Sequence, residues 1–466
     1  MTKVKLSACK AMCIVAMLSA GRVSVAADTF KTLASFDGTN GMNPGYGPLV
    51  QGFDGDFYGT TQQSPVVFRI TPNGTLTEVA SPTGGIIYAG LTLSADGSFY
   101  GTTSSTVFEV TTTGTVTTIH TFQEHQGTAP FDGLIQPANG ILYGTAEGGG
   151  GGDNGGTVYA VSSEGSFDRL YSFCSQTNCT DGAGPIAVLV KARNGSLYGT
   201  TIFGGTSSGC GDRGCGTVFR LDPSTKTLTT LYSFCSQAGC ADGTNPNAGL
   251  VQAADGSFYG TTSQGGAKGS GTVFRITSNG TFSTLYTFCS QASCADGGVP
   301  TAALIQATDS DFYGTTSIGG VGPGTVFKIT AKGELTTLHT FCLHVPCDDG
   351  VAPYAGLLQA TDGNFYGTTF SGGVHGLGTV YRVSVGLGPF VAMLSDCGKV
   401  GNTVELLGYN LQGTTAVAFN GTSASFEVVS DTEIKATVPV GATSGYVTVQ
   451  LASGTLKSNK SFRVLD

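Results

Sequence analysis

Residues 249–288 read GLVQAADGSFYGTTSQGGAKGSGTVFRITSNGTFSTLYTF. An apolar stretch, Gly249–Gln252, runs into an Asp255-Gly256 turn. Phe258–Thr262 follows, then a glycine-rich loop. Thr272–Ile276 leads through Asn279-Gly280 into Phe282–Phe288. β-Branched and aromatic residues fill the stretches, and Asp-Gly and Asn-Gly fill the turns, so the segment predicts four antiparallel strands joined by hairpins.

The same segment recurs through the chain. Its FYGTT core is found around Tyr58, Tyr100, Tyr143, Tyr198, Tyr259, Tyr313 and Tyr366, at spacings of 42 to 61 residues. A four-stranded unit at that period cannot bury both faces alone, and describes a propeller blade. The seventh copy has a third strand, Thr379–Val383, but no fourth. The missing strand stands at the other end of the array, where Phe30–Phe36 (FKTLASF) matches Leu335–Phe341 (LTTLHTF). The expectation is an all-β chain: a seven-bladed β-propeller over 28–387, closed by its N-terminal strand so that no sheet edge stays open.

Composition agrees with that fold class. Glycine makes up 73 of 466 residues, charged residues only 11%, and the net charge is −9. This excludes coiled coils and charge-rich disorder, and argues against a nucleic-acid partner, which needs a basic excess. Lys3, Lys5 and Lys10 precede an apolar run of ten residues, 11–20, and Val25-Ala26-Ala27 offers a cleavage point before Asp28. Residues 1–27 are therefore expected to be a signal peptide, the run being too short for a membrane span. The protein is expected to be secreted, on the cell surface or in the periplasm, and monomeric.

The YGTT…GG…GTVF pattern over residues 29–386 resembles the bacterial GloVer tandem-repeat family, whose members differ in their C-terminal surface anchors. That resemblance implies an exported repeat protein and transfers no catalytic residue. After Gly388-Pro389 the pattern changes to short alternating strands, as in Gly401–Leu411, Val417–Gly421 and Gly445–Val449. Residues 390–466 resemble an IPT/TIG domain, which implies an immunoglobulin-like β-sandwich serving as spacer or adhesion module.

Ten cysteines fall into pairs five positions apart: Cys174/Cys179, Cys210/Cys215, Cys235/Cys240, Cys289/Cys294 and Cys342/Cys347. In an exported chain these read as small-loop disulfides, and zinc is the rival. Cys397 is left over, as a buried thiol or an intermolecular link.

In a propeller, the connections between strands two and three and from strand four to the next blade share one face. Here they carry the long loops, whereas the opposite face has only short turns. Candidate ligand-binding residues on the long-loop face are Asp153, Asp181, Asp212, Arg213, Asp242, Asp296, His344, Asp349 and His375. Asp37 and Asp132 stand as counterparts of the recurring Asp-Gly acids. Those acids read either as oxygen ligands for Ca²⁺ or sugar hydroxyls, or as carboxylates bonding their own turns. No other cofactor and no resident metal is expected, and no catalytic motif appears. The expected function is non-catalytic recognition of a glycan or an extracellular protein. The alternatives are a polysaccharide-degrading enzyme using loop carboxylates such as Asp212 and Asp153, and a purely structural surface protein.

Overall fold

The computed structural model describes residues 29–465, apart from 124, 137–139, 152–153 and 320–321. The expected leader and Asp153 lie outside the described residues. The protein is all-β with a few single-turn helices, and most of its sheets have four strands.

Repeat five sets the pattern. Val251–Gln252, Phe258–Thr262, Thr272–Ile276 and Phe282–Thr287 form one antiparallel sheet in chain order. Sheets of the same order form around Tyr100, Tyr198 and Tyr313, and around Tyr58 with an added short strand, Met42–Pro44, paired to Phe57–Gln63. In repeat three a bridge between Ile135 and Tyr143 stands at the inner position. The sheet of repeat seven takes its outermost strand from the start of the chain. Thr29–Ser35 pairs antiparallel with Thr379–Ser384, from Thr29 opposite Ser384 to Ser35 opposite Thr379.

Each letter of FYGTT has a physical reason. The tyrosine of one repeat packs on the phenylalanine of the next: Tyr58 on Phe99 at 4.3 Å between ring centroids, Tyr259 on Phe312 at 4.1 Å, and Tyr313 on Phe365 at 4.2 Å. Tyr366 of repeat seven packs in the same way on Phe57 of repeat one, at 4.1 Å. The tyrosine hydroxyl meanwhile donates to the aspartate of its own first turn, as from Tyr313 to Asp309 and Tyr366 to Asp362, both at 2.8 Å. The glycine is needed because the phenylalanine of GTVF lies over it. A Cβ on Gly260 would stand 2.6 Å from the Phe274 ring. The first threonine bonds the next repeat, Thr200 Oγ1 donating to Ala248 O and Thr315 Oγ1 to Ala355 O at 3.0 Å each. The second threonine bonds the threonine of GTVF, as in Thr262 with Thr272 at 2.9 Å.

A recurring glutamine adds a further latch between repeats. Gln51, Gln252, Gln306 and Gln359 accept the backbone N–H of Thr361, Arg193, Ala254 and Thr308 in the preceding repeat.

Residues after Pro389 form two sheets around one core. The first is built of Ala392–Met393, Thr403–Leu407, Glu433–Thr437 and Phe426–Val428. The second contains Cys397–Lys399, Gly454–Leu465, Gly445–Leu451, Ala416–Phe419 and Thr422–Ala424. Leu406, Ile434, Phe419, Val449 and Phe462 are buried between them. This unit rests on the first turns of several repeats. Thr361 Oγ1 donates to Gly408 O at 2.9 Å, Thr432 Oγ1 donates to Phe53 O, and Arg463 Nη1 donates to Arg193 O at 2.6 Å. Leu407 joins the cluster of Leu91, Leu93 and Phe53. Leu93 stands where repeats one, five, six and seven carry the glutamine latch, and there it packs in the cluster that Leu407 joins.

Candidate functional site

The long-loop side is built mainly by the connections 202–216, 263–271 and 370–378 and by the segments that follow the outer strands. Disulfides join Cys174 to Cys179, Cys210 to Cys215, Cys235 to Cys240, Cys289 to Cys294 and Cys342 to Cys347. Cys397 is free and half-buried at a strand start. The sulfurs of Cys215, Cys235 and Cys240 lie within 4.8 Å of one another because two disulfides of repeat four are neighbours.

The recurring aspartates face inward. Asp181, Asp242 and Asp296 are fully buried. Asp242 shows why: its carboxylate accepts Tyr232 OH at 2.8 Å, the backbone N–H of Ser236 at 2.9 Å and that of Gln237 at 3.3 Å. Asp181 and Asp296 do the same with Tyr171 and Tyr286 and with the serine and glutamine after the half-cystine. Burial, aided by the Asp242 carboxylate, pushes the Tyr232 hydroxyl up to about 12, so it stays a donor. In Asp349 the donor is His339 Nε2 at 3.0 Å, a histidine in the place of the tyrosine. Burial lowers the pKa of that imidazole against the pull of Asp349. These oxygens organise their own disulfide loops and are turned away from an outside ligand.

Asp37 and Asp132 correct the expected equivalence. Asp37 is exposed and accepts the N–H groups of Thr39 and Asn40 in an Asx turn. Asp132 lies between repeats three and four, at a position that is alanine in the last four repeats. It accepts the N–H groups of Gly133 and Val188, both at 2.6 Å. Burial lifts its pKa to about 6, those two hydrogen bonds opposing the shift.

The structure brings together part of the remaining set. Asp212 and Arg213 are exposed in the longest loop, and Arg213 lies 5.4 Å over the Phe203 ring. A groove of about 650 Å³ opens beside them, lined by Phe203, Cys210, Arg213, Cys240, Asn245 and Gln264. His344 and His375 are exposed in loops of repeats six and seven, away from that groove. Two close carboxylate pairs occur on the short-turn side, each tied to a cation. Asp54 and Asp56 hold Arg69, and Asp309 and Asp311 hold Lys328 at 2.9 and 2.7 Å.

Sequence reading missed an aromatic row on the long-loop side. Tyr46, Tyr88, Phe131, Tyr354 and Phe370 are all partly exposed, Tyr46 by 44%. Ring centroids lie 5.2 Å apart for Tyr46 and Tyr354, 4.4 Å for Tyr88 and Phe131, and 5.5 Å for Tyr354 and Phe370. The signal for it was a single variable position after a recurring proline, visible only once the repeats are aligned.

The Gloeobacter/Verrucomicrobia repeat model matches residues 21–155, 103–321 and 202–423. No curated protein matches the chain. Among solved structures, a catalytically inactive virginiamycin B lyase from Staphylococcus aureus with quinupristin aligns at 15% identity and a TM-score of 0.54. It covers 77% of this chain and 99% of the lyase. A streptogramin B lyase aligns at 14% identity and 0.53, covering 77% and 97%. A fungal alcohol oxidase of the AA5 family, in complex with copper, aligns at 11% and 0.52, covering 94% and 99%. At these identities the likeness is one of fold, and the fold is β-propeller-like.

Proposed function

The chain belongs to the Gloeobacter/Verrucomicrobia repeat family, and from that premise we propose that it is an exported, non-catalytic recognition protein that binds a glycan or an extracellular protein through the long-loop face of a propeller. The architecture in this reading is a closed seven-bladed ring followed by an immunoglobulin-like sandwich. The Tyr366–Phe57 packing, the Gln51–Thr361 latch and the shared sheet of repeat seven support closure. Five disulfides suit an oxidising compartment.

One observation carries the reading. The long loops, the groove and the exposed aromatic row gather on one face, while that face's recurring carboxylates are engaged in their own loops. A rigid scaffold presenting varied polar loops is suited to recognition. Glycoside hydrolysis asks for two carboxylates flanking a substrate bond, and two close pairs among the described residues of the repeats are tied to Arg69 and Lys328 on the other side.

The test is an array of glycans and extracellular proteins, probed with the purified chain in Ca²⁺ and in chelator. A specific partner retained in chelator is expected. Loss of the partner in chelator would restore a metal role for the Asp-Gly loops. Cleavage of a bound glycan would replace recognition with catalysis.

A further inference from the structure

Each repeat enters its inner strand through a short segment such as Pro246-Asn247-Ala248-Gly249. Three of its four positions have structural duties. Pro246 packs on Gly216, whose Cβ would stand 2.6 Å from Pro246 Cδ. The Ala248 carbonyl accepts Thr200 of the preceding repeat. The fourth position sits where inner strands meet, a Cβ on Gly249 falling 2.6 Å from Val188 Cγ1. The second position has no such shared duty, and its side chain is partly exposed.

Its occupants divide the ring. They are Tyr354, Tyr46, Tyr88 and Phe131 in repeats seven, one, two and three, which neighbour one another. They are Ile186, Asn247 and Thr301 in repeats four to six. The backbone N–H of Tyr46 donates to Tyr88 O at 3.2 Å, which sets the two pairs of rings side by side, and Phe370 extends the row. Were these rings only packing elements of the repeat, all seven copies would need them.

The chemistry selects a ligand class. None of the five side chains is charged, and the neighbouring Asp132 carboxylate is taken by two backbone donors. The net charge of −9 disfavours a polyanion. The rings are partly exposed and lie tilted or edge-to-face on one another, at 38°, 63° and 67° between planes, and three carry hydroxyls, so they offer apolar ring surface edged by hydrogen-bonding groups. That matches a pyranose, which has C–H bonds on one face and hydroxyls around its rim. We propose that Tyr354, Tyr46, Tyr88 and Phe131, extended by Phe370, form a stacking platform for a neutral polysaccharide with equatorial hydroxyls, the class of β-linked glucans and xylans. The proposal rests on the recognition reading and names its ligand.

Affinity electrophoresis of the full chain through gels containing β-glucan, xylan, polygalacturonate or chitosan tests it. Retardation by a neutral polymer is expected. Tyr46→Ala and Tyr354→Ala should each weaken it at least tenfold at an unchanged thermal midpoint, whereas Tyr46→Phe keeps most of it. Lys226→Ala, in an exposed short turn on the opposite side, should leave it unaltered. Three results would overturn the platform: no retardation by either neutral polymer, stronger retardation by polygalacturonate or chitosan, or full binding by the double Tyr46→Ala/Tyr354→Ala variant. If a partner from the array then binds in a way that Arg213→Ala abolishes, recognition by this face stands and only the platform falls. If no partner depends on either set, both fall.

Discussion

Gly260 shows how tightly one residue is specified. Its missing Cβ is the room taken by Phe274 and Leu250, at 2.6 and 2.8 Å. Gly260→Ala should therefore cost about 1–3 kcal/mol by overpacking, read as a lower urea midpoint. Asp132 is a second case. Its folded pKa of about 6 lies above the unfolded value of about 3.9. The native state thus holds the proton more tightly, and stability falls as pH rises from about 4 to about 6. The expected loss is about 2 kcal/mol, given its partial solvent contact. Asp132→Ala places the residue of the last four repeats there, and should flatten the slope relative to wild type across that window. Equal slopes from urea titrations at pH 4, 5, 6 and 7 would contradict this. The repeat letters were legible in the sequence because the same contact is made again and again. Asp132 and the aromatic row were not, because they lie where the repeats disagree, and recurrence drew attention to the Asp-Gly acids instead.

At the scale of elements, four of the five disulfide loops join two half-cystines in the left-handed region. In Cys235–Cys240 both half-cystines have positive φ, 58° and 52°, and Asp242 ties the loop from inside. Closing so short a loop contributes about 2 kcal/mol in the chain-entropy model. Reduction should lower the thermal midpoint in steps while far-ultraviolet circular dichroism stays that of a folded β protein, because the sheets do not depend on these loops. The strand order, the turns and the cysteine pairing were all readable from local chemistry. The docking of the C-terminal unit was not, since it depends on Leu407 meeting Leu93 and Phe53 across hundreds of residues. Leu407→Asp should expose the turns at 53–55 and 361–363 to hydrogen exchange, with protection elsewhere in the repeats retained.

At the scale of the whole molecule, the first strand completes the sheet of repeat seven and the last unit rests on the first turns of several repeats; in the proposed ring they are a clasp and a cap. Removing residues 29–36 would leave Thr379–Ser384 as an open edge, and open edges pair with other chains. That truncation should give larger species in size-exclusion chromatography than the full chain gives. The C-terminal unit touches repeats seven, one and two, through Thr361, Phe53 and Leu93, and also repeat four, through Arg193. In the proposed ring of seven these would lie on opposite rims, so the unit would span the short-turn mouth and leave the long-loop face as the accessible one. The measurement that tests the proposed recognition face most directly is hydrogen–deuterium exchange of the full chain with and without a neutral β-linked polysaccharide. Slowed exchange is expected in 45–48, 87–90, 130–133 and 353–356, with no change in the first turns at 53–56, 193–196 and 362–364. Protection confined to those first turns would contradict the proposed face.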